Sequence, residues 1–287
     1  MTSAKPSRLF KALYLVAPVL ALAGAVSQAN GQDSIGTTAL ETPQEQTLKQ
    51  KSLDPTSDLK QLQFSNRFIP STYDVDGYSN ILTARIWYPI PKSRLFPVRQ
   101  VMRATFPIIT APSGPTGLGD IRLFDLFIVG ERDLGGGNWW RIGVGPVFVF
   151  PTGTSEVLGS RKWQVGPTVA AIFHAEKWQF ALLLQNPISF AGNSDRLDVN
   201  RLIWQPILIY WLPKQWYLGL QGTPKSINWE NDADLTFPLS LRVGKVTTFG
   251  RRAVNVFVEP EYTVIHDDNI PTPEWSIVLG LNFLFPY

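Results

Sequence analysis

Cysteine is absent from this 287-residue sequence, and histidine occurs only twice, as His174 and His266. The first absence excludes a disulfide framework, which an exported protein can do without. The second leaves little for histidine-assisted hydrolysis, which needs a serine within reach of an imidazole. Beyond the N-terminus no run approaches the roughly 18 apolar residues of a membrane helix. An excess of either charge is missing too. The first 29 residues hold Lys5, Arg8 and Lys11 and no acid, so the rest of the chain carries 23 bases and 23 acids. The pI near 9.1 therefore comes mostly from that segment, and a nucleic-acid partner is not expected.

What is present is alternation. In EWSIVLGLNFLFPY, residues 274–287, the side chains of Trp275, Ile277, Leu279, Leu281, Phe283, Phe285 and Tyr287 share one face of an extended strand. Twelve such segments are expected near 60–70, 79–90, 99–110, 119–130, 138–150, 161–174, 178–190, 200–212, 215–223, 234–246, 252–265 and 274–287. Most have the length that crosses a bilayer at a tilt. Ahead of them, residues 1–29 read as a Sec-type signal peptide, with a basic start, an apolar Ala12–Val26 and cleavage near Ala29. Residues 30–59 are polar and lack aromatics, which predicts a flexible periplasmic segment, either free or plugging the lumen.

The connections sort by position. Those after odd strands are long and often acidic (STYDVDGY, TAPSGPTGLGD, PTGTSEVLGSRK), whereas those after even strands are mostly short and basic (AEK, PK, TTFGRR). Long loops on one rim and short turns on the other predict an all-β fold, a single closed antiparallel transmembrane β-barrel of about 12 strands over residues 60–287. A soluble barrel has the same period with its apolar face inward. The membrane alternative is preferred because the polar faces are rich in Gly, Ser, Thr and Gln with scattered Arg, not in Lys and Glu. Trp87, Trp139, Trp140, Trp163, Trp178, Trp204, Trp211, Trp216 and Trp275 also fall near strand ends, where indole suits the headgroup level. Two features resist the pattern. Ile203, Ile207 and Ile209 lie on the supposed polar face of their strand, and Pro107, Pro146, Pro167, Pro187, Pro206, Pro238 and Pro260 lie inside strands, where bulges or unpaired patches are expected.

Several stretches resemble a known family. GLGDIRLF (117–124), GVGPVFVFPTGTSEVLGSRKWQVGPTVAAI (143–172), DVNRLIWQPILIY (198–210) and the closing PEWSIVLGLNFLFP are similar to the bacterial outer-membrane barrels grouped under the meta-pathway of phenol degradation. The resemblance implies an exported outer-membrane barrel and uptake of small molecules, aromatic ones included, and it implies no catalytic residue. The last strand likewise resembles the signal that barrel-assembly machinery reads.

The candidate functional residues are charges on the polar faces: Arg67, Arg85, Arg103, Arg122, Arg141, Lys162 and Arg242, with Asp120, Glu259 and Glu261 opposing them. Two explanations stand side by side: a charged constriction that orients a polar or anionic solute, or ion pairs that fill a narrow barrel. The expected function is an outer-membrane channel for passive uptake of small molecules. The alternatives are a blocked barrel whose loops bind ligands and, further off, a lumen hydrolase. The two histidines fall at opposite ends of the barrel, which argues against the hydrolase. No cofactor or metal is expected, since Asp74-Val-Asp76-Gly77 begins like a calcium loop but lacks its later glutamate. The expected partners are outer-membrane lipid and lipopolysaccharide, the assembly machinery and a small solute.

Overall fold

In the computed structural model the described residues are 51–94, 96–112, 114–221, 225–228, 234–250, 252–266 and 272–285. The expected signal peptide, residues 30–50 and the closing Pro286-Tyr287 lie outside them. Sixteen strand pieces make twelve wall strands: β1 (Lys60–Thr72), β2 (Ser79–Ile90), β3 (Gln100–Thr110), β4 (Thr116–Leu118) continued by β5 (Ile121–Gly135), β6 (Asn138–Phe150), β7 (Lys162–Ala175), β8 (Trp178–Gln185) continued by β9 (Ile188–Gly192), β10 (Arg201–Trp211), β11 (Trp216–Leu220) continued by β12 (Lys225–Asn228), β13 (Asp234–Ser240) continued by β14 (Arg242–Phe249), β15 (Arg252–Ile265) and β16 (Pro273–Phe285). All neighbours are antiparallel. β1 pairs with β16 from Lys60↔Phe285 to Thr72↔Pro273, so the sheet closes on itself and leaves no edge.

The turns follow from local chemistry. β5 runs further than the sequence suggested, as far as Gly135. It turns into β6 through Gly136 and Gly137, whose φ values of 63° and 80° are left-handed conformations that only glycine adopts without strain. The prolines explain where the wall breaks. Proline offers no N–H, so the strand beside it loses a partner and steps aside. Pro107 faces the gap at Gly119-Asp120 between β4 and β5, Pro167 faces Asn186-Pro187 between β8 and β9, and Pro260 faces Leu241 between β13 and β14. In each case the stepping strand donates one N–H to the proline carbonyl, at 2.9, 3.0 and 3.2 Å. Pro206 faces the interruption between β11 and β12, where the Gln205 side-chain amide donates to the Gln221 carbonyl at 3.0 Å. Pro238 sits at a register shift, and Pro146 borders the unpaired patch between Phe124↔Val147 and Phe127↔Val144.

The exterior is apolar, with Leu82, Ile86, Ile108, Val144, Phe148, Val165, Phe180, Leu182, Val256, Leu279 and Leu281 all at least a third exposed. Asp125 is a charged exception in this band. It follows the outward period of its strand, between the buried Phe124 and Leu126, and nothing in the structure explains it.

The interior differs from the expected Gly/Ser/Thr/Gln lining. Ile203, Ile207 and Ile209 point inward and are buried. Ile207 and Ile209 join an inward cluster with Ile172, Trp211, Tyr217 and Leu284, and a second inward cluster holds Trp87, Val101, Phe124 and Leu126. Trp87, Trp139 and Trp211 therefore do not sit at the headgroup level. Each turns into the lumen, where Trp139 stacks on the buried His174 with centroids 5.5 Å apart and Trp211 meets Tyr217 at 5.3 Å. The physical reason is diameter. Side chains fill an eight-stranded barrel, and twelve strands leave only part of the bore empty.

Residues 51–59 belong to the stretch read as a flexible lead-in, yet they pack inside the rim that bears the short turns. Ser52, Asp54, Thr56 and Ser57 are 0–2% exposed, and Leu53 joins the first apolar cluster.

The outward apolar band yields a stability prediction. Leu279→Arg should lower folding stability in lipid vesicles by about 2–4 kcal/mol, because it places a guanidinium in hydrocarbon. Urea titration of folding into vesicles measures this. An unchanged midpoint would mean that this face does not meet acyl chains.

Candidate functional site

Strand alternation delivers every second side chain to the bore, and closure brings strands far apart in sequence together. This leaves a cavity of about 420 Å³ that extends from residues 52–55 toward the rim with the long loops, lined by Arg67, Arg85, Arg103, Asp120, Arg122, Arg242, Glu259 and Glu261 among others. Eight of the ten sequence candidates meet there. Arg141 and Lys162 do not line the cavity.

One side of the cavity is neutralised. Arg242 donates from Nε to Glu259 at 2.8 Å and also bonds the Gln221 side chain, while its guanidinium lies 3.7 Å from the Phe257 ring centroid. Phe257 in turn lies on Gly280, where an added Cβ would come within 2.0 Å of the ring. Glu259 also accepts from Ser240 at 2.6 Å. One register step further, Arg67 pairs with Glu261 at 3.1 Å, and Ser276 donates to the same carboxylate at 2.7 Å. Glu259 thus meets an arginine of the adjacent β14, whereas Glu261 meets one of β1, brought near by the closure of β1 on β16.

The other side is not neutralised. Arg85 has Ser65 as its hydrogen-bond acceptor, at 3.2 Å. Arg103 is sandwiched between Phe124 and Trp87, 4.2 and 4.9 Å from their ring centroids, with its Nε buried and unbonded among the described residues. Arg122 lines the same cavity. Among the described residues, no carboxylate lies within ion-pair distance of these three guanidiniums. Asp120, the nearest expected counter-ion, is committed elsewhere: it accepts from the N–H of Gly153 at 3.2 Å and from the N–H and hydroxyl of Ser160 at 2.7 and 2.6 Å. Its role is to hold the 151–161 loop, which the residue type alone does not reveal.

The two remaining candidates serve the rims. Lys162 pairs with Asp198 at 2.9 Å, and this hydrogen bond holds the Asp198 carboxyl below its ordinary range. Arg141 donates to Asp54 at 2.8 Å and to Glu131 at 3.2 Å, with Arg99 reaching the same Glu131 at 2.9 Å. Burial pushes the Asp54 carboxyl up, with Arg141 and Thr56 pulling against that. Asp54, Arg99 and Trp87 were missed as site residues. Trp87 could have been placed, since it lies two positions beyond the inward Arg85; nothing local marks Asp54. His174 and His266 sit toward opposite rims as expected, the second stacked on Tyr73 with centroids 3.9 Å apart.

No protein-family model matches the chain, and no curated protein matches it in sequence. Solved structures do. The NanC porin superposes with a TM-score of 0.50 at 11% identity, over 79% of this chain and 100% of that one. The chain has the fold of a porin-type outer-membrane barrel. Two more distant matches are the outer-membrane phospholipase A from Escherichia coli (TM-score 0.42, 12% identity, 80% of this chain and 93% of that one) and the Salmonella typhi OmpF complex with daunomycin (0.32, 9%, 81% and 98%). Scores this low carry no argument about activity.

The paired side of the cavity can be tested directly. Glu259→Ala leaves the Arg242 guanidinium enclosed without its carboxylate and should destabilise the barrel by about 3–5 kcal/mol. Equilibrium unfolding in detergent or vesicles would report it. Restoration of most of that loss by Arg242→Met in the same chain would identify the loss as an uncompensated charge.

Proposed function

We propose that this chain is a bacterial outer-membrane channel for the passive passage of small molecules, and that its lumen favours anionic solutes. The observation that carries the reading is the combination of an apolar exterior with an interior cavity onto which Arg85, Arg103 and Arg122 open, with no carboxylate among the described residues within ion-pair distance of them. Three like charges held together by a rigid wall repel one another, and an entering anion relieves that repulsion. The porin-type fold supports the channel part of the proposal and says nothing of its solute. An aromatic solute has less behind it. It rests on the family resemblance, and inside the cavity Arg103 already faces the rings of Trp87 and Phe124. A non-enzymatic role agrees with the two histidines standing toward opposite rims. Outer-membrane lipid and lipopolysaccharide are the natural surroundings of the exterior, with β16 as the strand offered to assembly machinery.

A specific observation favours a second reading. Residues 51–59 occupy the short-turn end of the bore, as a barrel with a blocked lumen would require.

Reversal potentials under a KCl gradient in planar bilayers separate these readings. Chloride should pass several-fold more readily than potassium, and the preference should vanish when Arg85, Arg103 and Arg122 are all replaced by Gln. A cation preference in the wild type would sink the anionic reading. Absence of conductance in the folded wild type and in every lumen variant would sink the channel.

A further inference from the structure

The arginines of the lumen form a descending series. Arg122 and Arg85 share a register row through Thr105, Arg103 lies two residues nearer the short turns, and Arg141 and Arg99 stand at the short-turn rim. The lowest step is already occupied by an anion from the protein itself. The Asp54 carboxylate is fully buried and accepts three hydrogen bonds: Arg141 Nη1 at 2.8 Å on one oxygen, and the N–H and hydroxyl of Thr56, both at 2.6 Å, on the other. Arg141 also donates to the Thr56 hydroxyl at 3.1 Å.

The segment that carries Asp54 is held less firmly than the wall. Its backbone joins no ladder. Its other ties include Arg141 on the Thr56 carbonyl at 3.3 Å, the Gln179 amide on the Leu53 carbonyl at 3.0 Å, the Gln61 amide on the Lys51 carbonyl at 3.3 Å, an internal Lys51–Asp58 pair at 2.8 Å and the packing of Leu53. The same residues, Ser52 to Pro55, form the floor of the 420 Å³ cavity. A floor made of a few side-chain bonds can leave without opening the barrel; a wall strand cannot.

The geometry points to residues 51–58 as a tethered gate, latched by Asp54 on Arg141, and to Arg141 as a carboxylate-recognition step of the passage that the gate occupies at rest. The inference rests on the channel reading above and deepens it. A carboxylate-bearing solute reaching the floor meets the same donors that hold Asp54 and competes for them. The closed end is then a regulated state of the channel, which reconciles the blocked bore with the unneutralised arginines above it.

The test uses the full-length folded protein in planar bilayers, with heat-dependent electrophoretic mobility confirming a folded barrel for every variant. The wild type should be closed most of the time. Asp54→Ala and Asp54→Arg should raise the time-averaged conductance at least about tenfold, because the latch is lost in the first and repels Arg141 in the second. Combining Asp54→Arg with Arg141→Asp should return the conductance toward the wild-type level. In the opened Asp54→Ala channel, millimolar succinate should block the chloride current, and adding Arg141→Gln should abolish the block. A wild type that conducts as freely as the Asp54 variants would overturn the gate while leaving the channel standing. A folded wild type and folded Asp54 variants that all stay closed would overturn both. Opening without succinate block would overturn the carboxylate step alone.

Discussion

In hydrocarbon no water is present to satisfy a bare N–H or C=O, so every backbone group of this wall has to find its partner within the sheet. That requirement accounts for the pairing of β1 with β16, because an open sheet would leave two rows of polar groups facing acyl chains. It also explains how the prolines are accommodated. Each removes a donor, and opposite Pro107, Pro167 and Pro260 the neighbouring strand breaks and then turns one N–H back to the proline carbonyl. Beside Pro206, where the gap is wider, a side-chain amide from Gln205 substitutes for the missing backbone bond. The wall tolerates interruption in four strands only because these local repairs keep the polar groups paired.

Closure at twelve strands sets the chemistry of the interior. The bore is too wide to be filled by side chains from one rim to the other, so part of it is core and part is cavity. Toward the short turns Ile172, Ile209, Trp211, Tyr217 and Leu284 fill it as a core would. Toward the long loops the wall carries arginine, and a cavity remains. Arg67 and Arg242 are balanced by Glu261 and Glu259 across the β1–β16–β15–β14 side, so part of the charge is structural. The imbalance on the β2–β3–β5 side has no such explanation and is where the structure departs from a merely self-neutralised barrel. The ion pairs expected of a self-filling barrel are present on one side, and the charged constriction on the other side belongs to the proposal.

The strand pattern was legible because a wall with one greasy face and one lumenal face must alternate. Most of the expected boundaries lie close to those of the pieces that form, and the in-strand prolines mark the places where the wall is broken or irregular. The tryptophans were less legible. Indole is at home at a membrane interface, but Trp87 and Trp139 share the parity of Arg85 and Arg141 and follow those arginines inward. Position in the alternation outranked the preference of the residue type. Asp120 shows the opposite limit, since it has the parity and charge of a lumen group and yet spends both oxygens on the 151–161 loop.

Residue order alone determined the number of crossings, the face each side chain takes and the rim to which each connection belongs, because these depend on a period of two and on local turn chemistry. Only the folded barrel decided which charges meet. Arg67 and Glu261 are 194 positions apart, and Asp54 and Arg141 are 87 apart. Such partners depend on the register of every intervening strand and on the angle at which the ring closes. No local stretch of sequence encodes that angle.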